Sequence, residues 1–249
     1  IERIVVDRSG NLLVGYGAPT HWVFDVLNPL TRERTPLIIQ NTTDKYLYCF
    51  KAADGSVYFF FPDDKKGKLY RFDEKTGRAD KQFEFPFQPF TNNNSVTALQ
   101  ASDGTFWFTQ SQFLVHTDAQ GTIIHTFSTR QIAGGKIDHV IESLVQTTDG
   151  NLWIGMQEAG VFFWEKGSFK PFGTLPRAAF LLAADRVGNL LAYQNEPNNP
   201  LQQCFLVTSD GRVSDYSAMY KHQSVVDQVY ADDFRVWFVA GNSMGFNKF

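Results

Sequence analysis

Thr148-Asp149-Gly150-Asn151-Leu152-Trp153-Ile154-Gly155 is the stretch on which the reading of this chain turns. An Asp-Gly pair supplies the positive φ that a tight hairpin needs. An apolar stretch, residues 140–146, precedes it, and a strand with an indole at its middle follows. The same arrangement recurs around Gly10, Gly55, Gly104 and Gly188, and without its glycine around Phe234. The steps between these marks are 45, 49, 46, 38 and 46 residues. A weaker pattern lies between them, an apolar stretch followed by a turn glycine at Gly77, Gly121, Gly167 and Gly211. Each repeat therefore offers four strands joined by turns, the period and content of a β-propeller blade.

Such a sheet cannot bury both faces alone, but stacked face to face each blade covers its neighbours. Tyr58, Trp107, Trp153 and Trp237 hold one equivalent position and are expected to pack blade against blade. Helix is not expected, because no long stretch keeps apolar residues at helical spacing with a cap. The expected fold is all-β: a β-propeller of about six four-stranded blades, the last incomplete, belonging to a ring of seven or a longer array. The blades run over roughly 1–40, 41–90, 91–134, 135–175, 176–220 and 221–249 of one propeller domain.

Composition agrees. The 249 residues are 43% hydrophobic and 15% aromatic, with 24 Phe, so a large strand-rich core is available. A net charge of −3 gives no basic field to gather phosphates, and nucleic acid is not an expected partner. No apolar run is long enough for a membrane helix, so no membrane contact is expected within this segment. Cys49 and Cys204 fall in repeats too far apart to pair, and two thiols are expected.

The metalloprotease signature H-E-x-x-H does not occur. Asp54, Asp103 and Asp149 read as turn formers, Asp63 to Lys66 as a charged hairpin tip, and His116 and His125 as strand residues. No catalytic residue, metal site or cofactor is expected.

The stretch from Val140 to Gly155, continuing to Gly160-Val161, resembles the two-component regulator propeller repeat of the periplasmic sensor region of Bacteroidetes-type hybrid two-component histidine kinases. Met156 stands where that family commonly has Thr, and repeats two and six are degenerate. The resemblance implies a periplasmic, non-catalytic sensor segment whose parent chain would be a histidine kinase in a phosphorelay. It implies an oligosaccharide or other small-molecule ligand, with a homodimer formed through the parent sensor. Asp103-Gly104-Thr105-Phe106-Trp107-Phe108-Thr109, followed by Gly121-Thr122-Ile123, is also similar to the repeat of streptogramin lyases. Those enzymes use clustered His and Glu. None of His21, His116, His125, His139 and His222 forms a His-x-Glu pair. A protein-interaction or dimerisation scaffold is the other alternative.

Propellers bind ligands on loops joining strands two and three and on loops joining successive blades, because loops carry function on rigid scaffolds. Here these are residues 16–21, 62–68, 110–112, 157–160, 195–203 and 242–245, with 40–45, 88–95, 129–138, 174–177 and 220–224. Their polar groups suit sugar hydroxyls. The candidates are Asn93, Gln112, Arg130, Gln157, Glu158, Arg177, Asn195 and His222 for hydrogen bonding, with Tyr16 and Tyr220 for stacking on a sugar ring.

Overall fold

The structure, a computed structural model, describes residues 3–17, 22–37, 47–62, 65–87, 96–110, 112–194, 203–219, 228–231, 235–240 and 243–248. It is an all-β propeller of four-stranded antiparallel blades, as the repeat requires. Blade 1 is β1 (Arg3–Val6), β2 (Leu12–Gly17), β3 (Trp22–Leu27) and β4 (Arg34–Leu37); blade 2 is β5 (Tyr48–Lys51), β6 (Val57–Pro62), β7 (Lys66–Asp73) and β8 (Arg78–Pro86). Blade 3 is β9 (Ala98–Gln100), β10 (Phe106–Gln110), β11 (Phe113–Thr117) and β12 (Ile123–Ser128). Blade 4 is β13 (Ile141–Gln146), β14 (Leu152–Met156), β15 (Gly160–Glu165) and β16 (Ser168–Pro171), and blade 5 is β17 (Phe180–Ala184), β18 (Leu190–Gln194), β19 (Cys204–Val207) and β20 (Val213–Asp215). A three-stranded sheet follows: β21 (Gln228–Ala231), β22 (Arg235–Ala240) and β23 (Ser243–Lys248). In every sheet the strands pair in chain order.

The turn glycines explain this order. Gly10, Gly55, Gly104, Gly150 and Gly188 have φ between 83° and 91°, each in the turn joining the first two strands of its blade. A side chain there would sit in the left-handed region, which L residues avoid. A carboxylate clamps each turn. Asp149 Oδ1 accepts from the Thr147 hydroxyl and the Asn151 N–H, and Oδ2 accepts from the Asn151 amide at 2.6 Å. In blades 1 and 5 the clamp moves to Asp7 and Asp185, which hold Asn11 and Asn189 in the same way.

The chain forms two compact units, Ile1–Gln110 with Leu114–Thr126, and Ser111–Phe113 with Phe127–Phe249. In the first, β6 shows why the sequence reads Val-Tyr-Phe-Phe-Phe without a polar break: every residue of the strand is buried. Alternate side chains leave opposite faces of a strand. Val57, Phe59 and Phe61 pack with Leu13, Phe24 and Leu37 of blade 1. Tyr58 and Phe60 pack with Phe106, Phe108 and Val115 of blade 3. Phe60 and Phe108 meet at 4.5 Å between ring centroids. Burying a Phe this way contributes about 2 to 3 kcal/mol.

The second unit repeats the device. Phe180 and Leu182 of β17 join Val161, Leu190 and Ala192, with Trp153 and Val145 against them. Leu181 and Ala183 join Leu191, Tyr193 and Cys204. Tyr58 and Trp153 thus pack across blades, as expected. Trp107 has a different neighbour within its blade: its ring stacks on His116 at 3.9 Å and 7°. The side chain of Trp237 lies outside the described residues. Cys49 and Cys204 are buried and form no disulfide.

Two short elements depart from the all-strand expectation, a 3-10 turn at Ser217–Met219 and an α-helix. A short helix, α1 (Thr129–Ala133), joins blades 3 and 4. Ser128 and Gln131 form a reciprocal capping box, and Gly134 closes the helix at φ 63°. These are local signals that satisfy orphan backbone groups without any apolar periodicity.

Candidate functional site

Five of the ten candidate residues are described and lie in the second unit, Gln112, Gln157, Glu158 and Arg177 in loops and Arg130 within α1, and hydrogen bonds through Thr129 and His139 link Gln112 to Gln157. The Gln112 carbonyl accepts from the Thr129 N–H at 2.8 Å. The buried Thr129 hydroxyl accepts from the His139 N–H at 3.0 Å. His139 Nδ1 lies 3.0 Å from the Gln157 carbonyl. A carbonyl only accepts, so Nδ1 carries a proton, and Nε2 has no partner among the described residues.

Gln157 and Glu158 form the β14–β15 turn and are exposed. Glu158 has φ 59°, a left-handed conformation that costs a non-glycine residue about 1 kcal/mol or more. The turn closes on Gly160. A side chain there would come within 3.2 Å of the Pro176 carbonyl and 3.6 Å of Arg177 Cα. That close approach sets Arg177 beside the turn. The Arg177 side chain is exposed and makes no ion pair among the described residues.

Arg130 is spoken for. Its guanidinium pairs with Asp138 at 2.5 Å, and that carboxylate holds it above its ordinary pKa. It orders the loop after α1 instead of standing open to a ligand. Tyr16 is a strand residue, not a loop residue, because the β2–β3 ladder continues past it to Gly17 opposite Trp22. Its side chain, together with Asn93, Asn195, Tyr220 and His222, lies outside the described residues.

Sequence reasoning missed two groups. His139 stands one residue beyond the 129–138 loop, yet it joins α1 to the β14–β15 turn. Glu142 is the extra residue of a β-bulge, since Ile141 opposes Met156 and Ser143 opposes Gly155. Bulges commonly re-aim a side chain. Burial pushes the Glu142 carboxyl above its ordinary range, and no partner is bonded to it among the described residues. The bulge has no sequence signature, so the strand pattern hides it.

The cluster presents an imidazole, a guanidinium and amide groups on adjoining turns, which suits hydroxylated ligands. His116 is not part of it. Its ring is packed on Trp107, and desolvation holds its pKa below the ordinary value. Among the described residues no group of three His, Cys, Asp or Glu could hold a metal ion.

No protein-family model and no curated protein sequence matches the chain. Solved structures do match in shape. The extracellular domain assigned to a hybrid two-component system of B. thetaiotaomicron aligns over 98% of this chain and 34% of that one, at 10% identity and TM-score 0.66. A catalytically inactive virginiamycin B lyase from Staphylococcus aureus, solved with quinupristin, aligns over 99% and 79%, at 14% identity and TM-score 0.63. A gluconolactonase from Xanthomonas campestris aligns over 95% and 81%, at 13% identity and TM-score 0.57. These are structures of a two-component-system extracellular domain, a lyase and a gluconolactonase, and what this chain shares with them is the β-propeller fold.

Proposed function

We propose that this chain is the ligand-sensing propeller of a hybrid two-component sensor histidine kinase. It sits in the periplasm, binds a glycan fragment and passes the signal to a kinase core outside this chain, with no catalytic step of its own. The observation that carries the reading is the series Gln112–Thr129–His139–Gln157, ending beside Arg177. It puts a free imidazole nitrogen, an unpaired guanidinium and amide groups on adjoining turns. The shape shared with the extracellular domain of a two-component system supports it.

A panel of oligosaccharides titrated into the folded protein tests the reading. Saturable binding is expected, weakened about tenfold by Arg177→Ala, the loss of roughly one charged hydrogen bond. No binding at about 1 mM ligand contradicts it.

The similarity to virginiamycin B lyase favours a second reading, an enzyme. A metal-dependent activity lost on changing His21 or His222, both outside the described residues, would replace the sensor reading.

A further inference from the structure

The first unit holds a cleft of about 490 Å³ where the turns of blades 1 and 2 meet. It is lined by Arg8, Ser56, Arg71, Glu74, Lys75 and Asp80, with Gln82 at its side. Its floor is the buried Ser56 hydroxyl, which is saturated. It donates to Asp54 Oδ2 at 3.0 Å and accepts from Arg8 Nη2 at 3.0 Å and Arg71 Nη2 at 2.9 Å. Two guanidinium groups therefore converge on one oxygen.

The charges around them do not balance locally. Arg8 is neutralised by Asp54 at 2.7 Å and also donates to the Asp54 carbonyl. Glu74 is taken up by blade 1, accepting from the Arg8 N–H and the Ser9 hydroxyl. Asp73 caps its own turn, accepting from the Lys75 N–H and the Thr76 hydroxyl. Arg71 makes no ion pair among the described residues, and four of its five N–H donors stay unused. Asp80 stands opposite Arg71 in the β7–β8 ladder, also without an ion pair.

We propose that this cleft binds a small hydroxylated carboxylate, a sugar acid. The Arg71 fork takes the carboxylate in two parallel hydrogen bonds. Lys75 adds a second positive charge, and Asp80 and Gln82 accept from the hydroxyls. The volume falls in the range of small-molecule sites, about 300 to 1,000 Å³, which a bare inorganic anion would leave mostly to water. A doubly charged phosphate would also meet Asp80 and Glu74. The site is built from the Asp-Gly turn ends of its blades and does not depend on the loop-cluster reading.

Glucuronate, glucose and inorganic phosphate, each titrated into the full chain and followed by amide and arginine side-chain NMR, test it. Glucuronate is expected to shift the Arg71 Nε–H and the Lys75 and Gln82 signals saturably, while glucose and phosphate do not. Arg71→Gln is expected to weaken glucuronate at least about tenfold, the worth of a charge-assisted pair. Its own spectrum reports whether it is folded, and the wild-type titration stands without it. Equal response to glucose, response to phosphate alone, shifts mapping away from the cleft, or no shift at about 10 mM glucuronate would each overturn the proposal.

Discussion

The Ser143 hydroxyl donates to the Phe180 carbonyl at 2.9 Å and accepts from the Leu182 N–H at 3.1 Å, stitching the first strand of blade 4 to the first strand of blade 5. All three groups are in buried residues. Ser143→Ala leaves a backbone donor and acceptor without partners, and the expected cost is about 1 to 3 kcal/mol. Gly155 lies behind the same contact: an added Cβ would fall 2.2 Å from the Phe180 carbonyl. Gly155→Ala is therefore expected to cost more than Ser143→Ala. Urea denaturation at constant slope measures both, and equal stability to wild type would show that this stitch is not holding the blades.

The hairpin glycines make a purely conformational prediction. Gly104 has φ 86° and nothing within 4 Å of where a Cβ would stand. Gly104→Ala therefore meets no clash and pays only for the left-handed backbone, about 1 to 2 kcal/mol. Gly104→Asn is expected to cost less, because Asn tolerates that region. Identical losses for Ala and Asn would point to a packing role that the turn does not show.

Glu142 fixes a pH dependence. Its carboxyl is raised above 4.5 by burial alone. A folded-state pKa above the unfolded one means the folded state binds its proton more tightly. That contribution is fully present below the unfolded value and is lost as pH rises through the folded value. Glu142→Gln is expected to be stabilising near neutral pH and to lose that advantage near pH 4. Denaturation midpoints of both proteins across this range measure it, and a constant difference would contradict the assignment. The Asp149 clamp acts in the opposite sense. Asp149 is partly desolvated, yet the bonds from Thr147 and Asn151 hold it below 3.8, so its contribution is lost as pH falls.

Cys204 is fully buried beside Tyr193, and desolvation, aided by Asp215, pushes its thiol up to about 12. The thiolate is the reactive form. In the native protein Cys204 is expected to resist iodoacetamide at pH 8 and to react at the rate of unfolding. Fast native alkylation at Cys204, read by mass spectrometry, would contradict its burial.

The architecture was legible in the sequence because each blade repeats its turn chemistry. All nine marked glycines, from Gly10 to Gly211, have positive φ, and β6 announces its burial by an unbroken apolar run. The site was legible only in outline. Loop positions follow from strand order, which is why Gln112, Gln157 and Arg177 fall on neighbouring turns. Side-chain commitments do not. Arg130 pairs with Asp138 because α1 turns it toward a residue eight positions on, and α1 is too short to show periodicity. His139 joins the cluster through the Gln157 backbone, a contact that no residue type encodes.

Amide hydrogen exchange of the full chain, with and without an oligosaccharide mixture from digested polysaccharide, tests the sensor account most directly. The account predicts slowed exchange at residues 129–140, 157–160 and 176–178, with the Asp-Gly turns of blades 3, 4 and 5 unchanged. Slowing absent from these segments, with the protein folded, would contradict it.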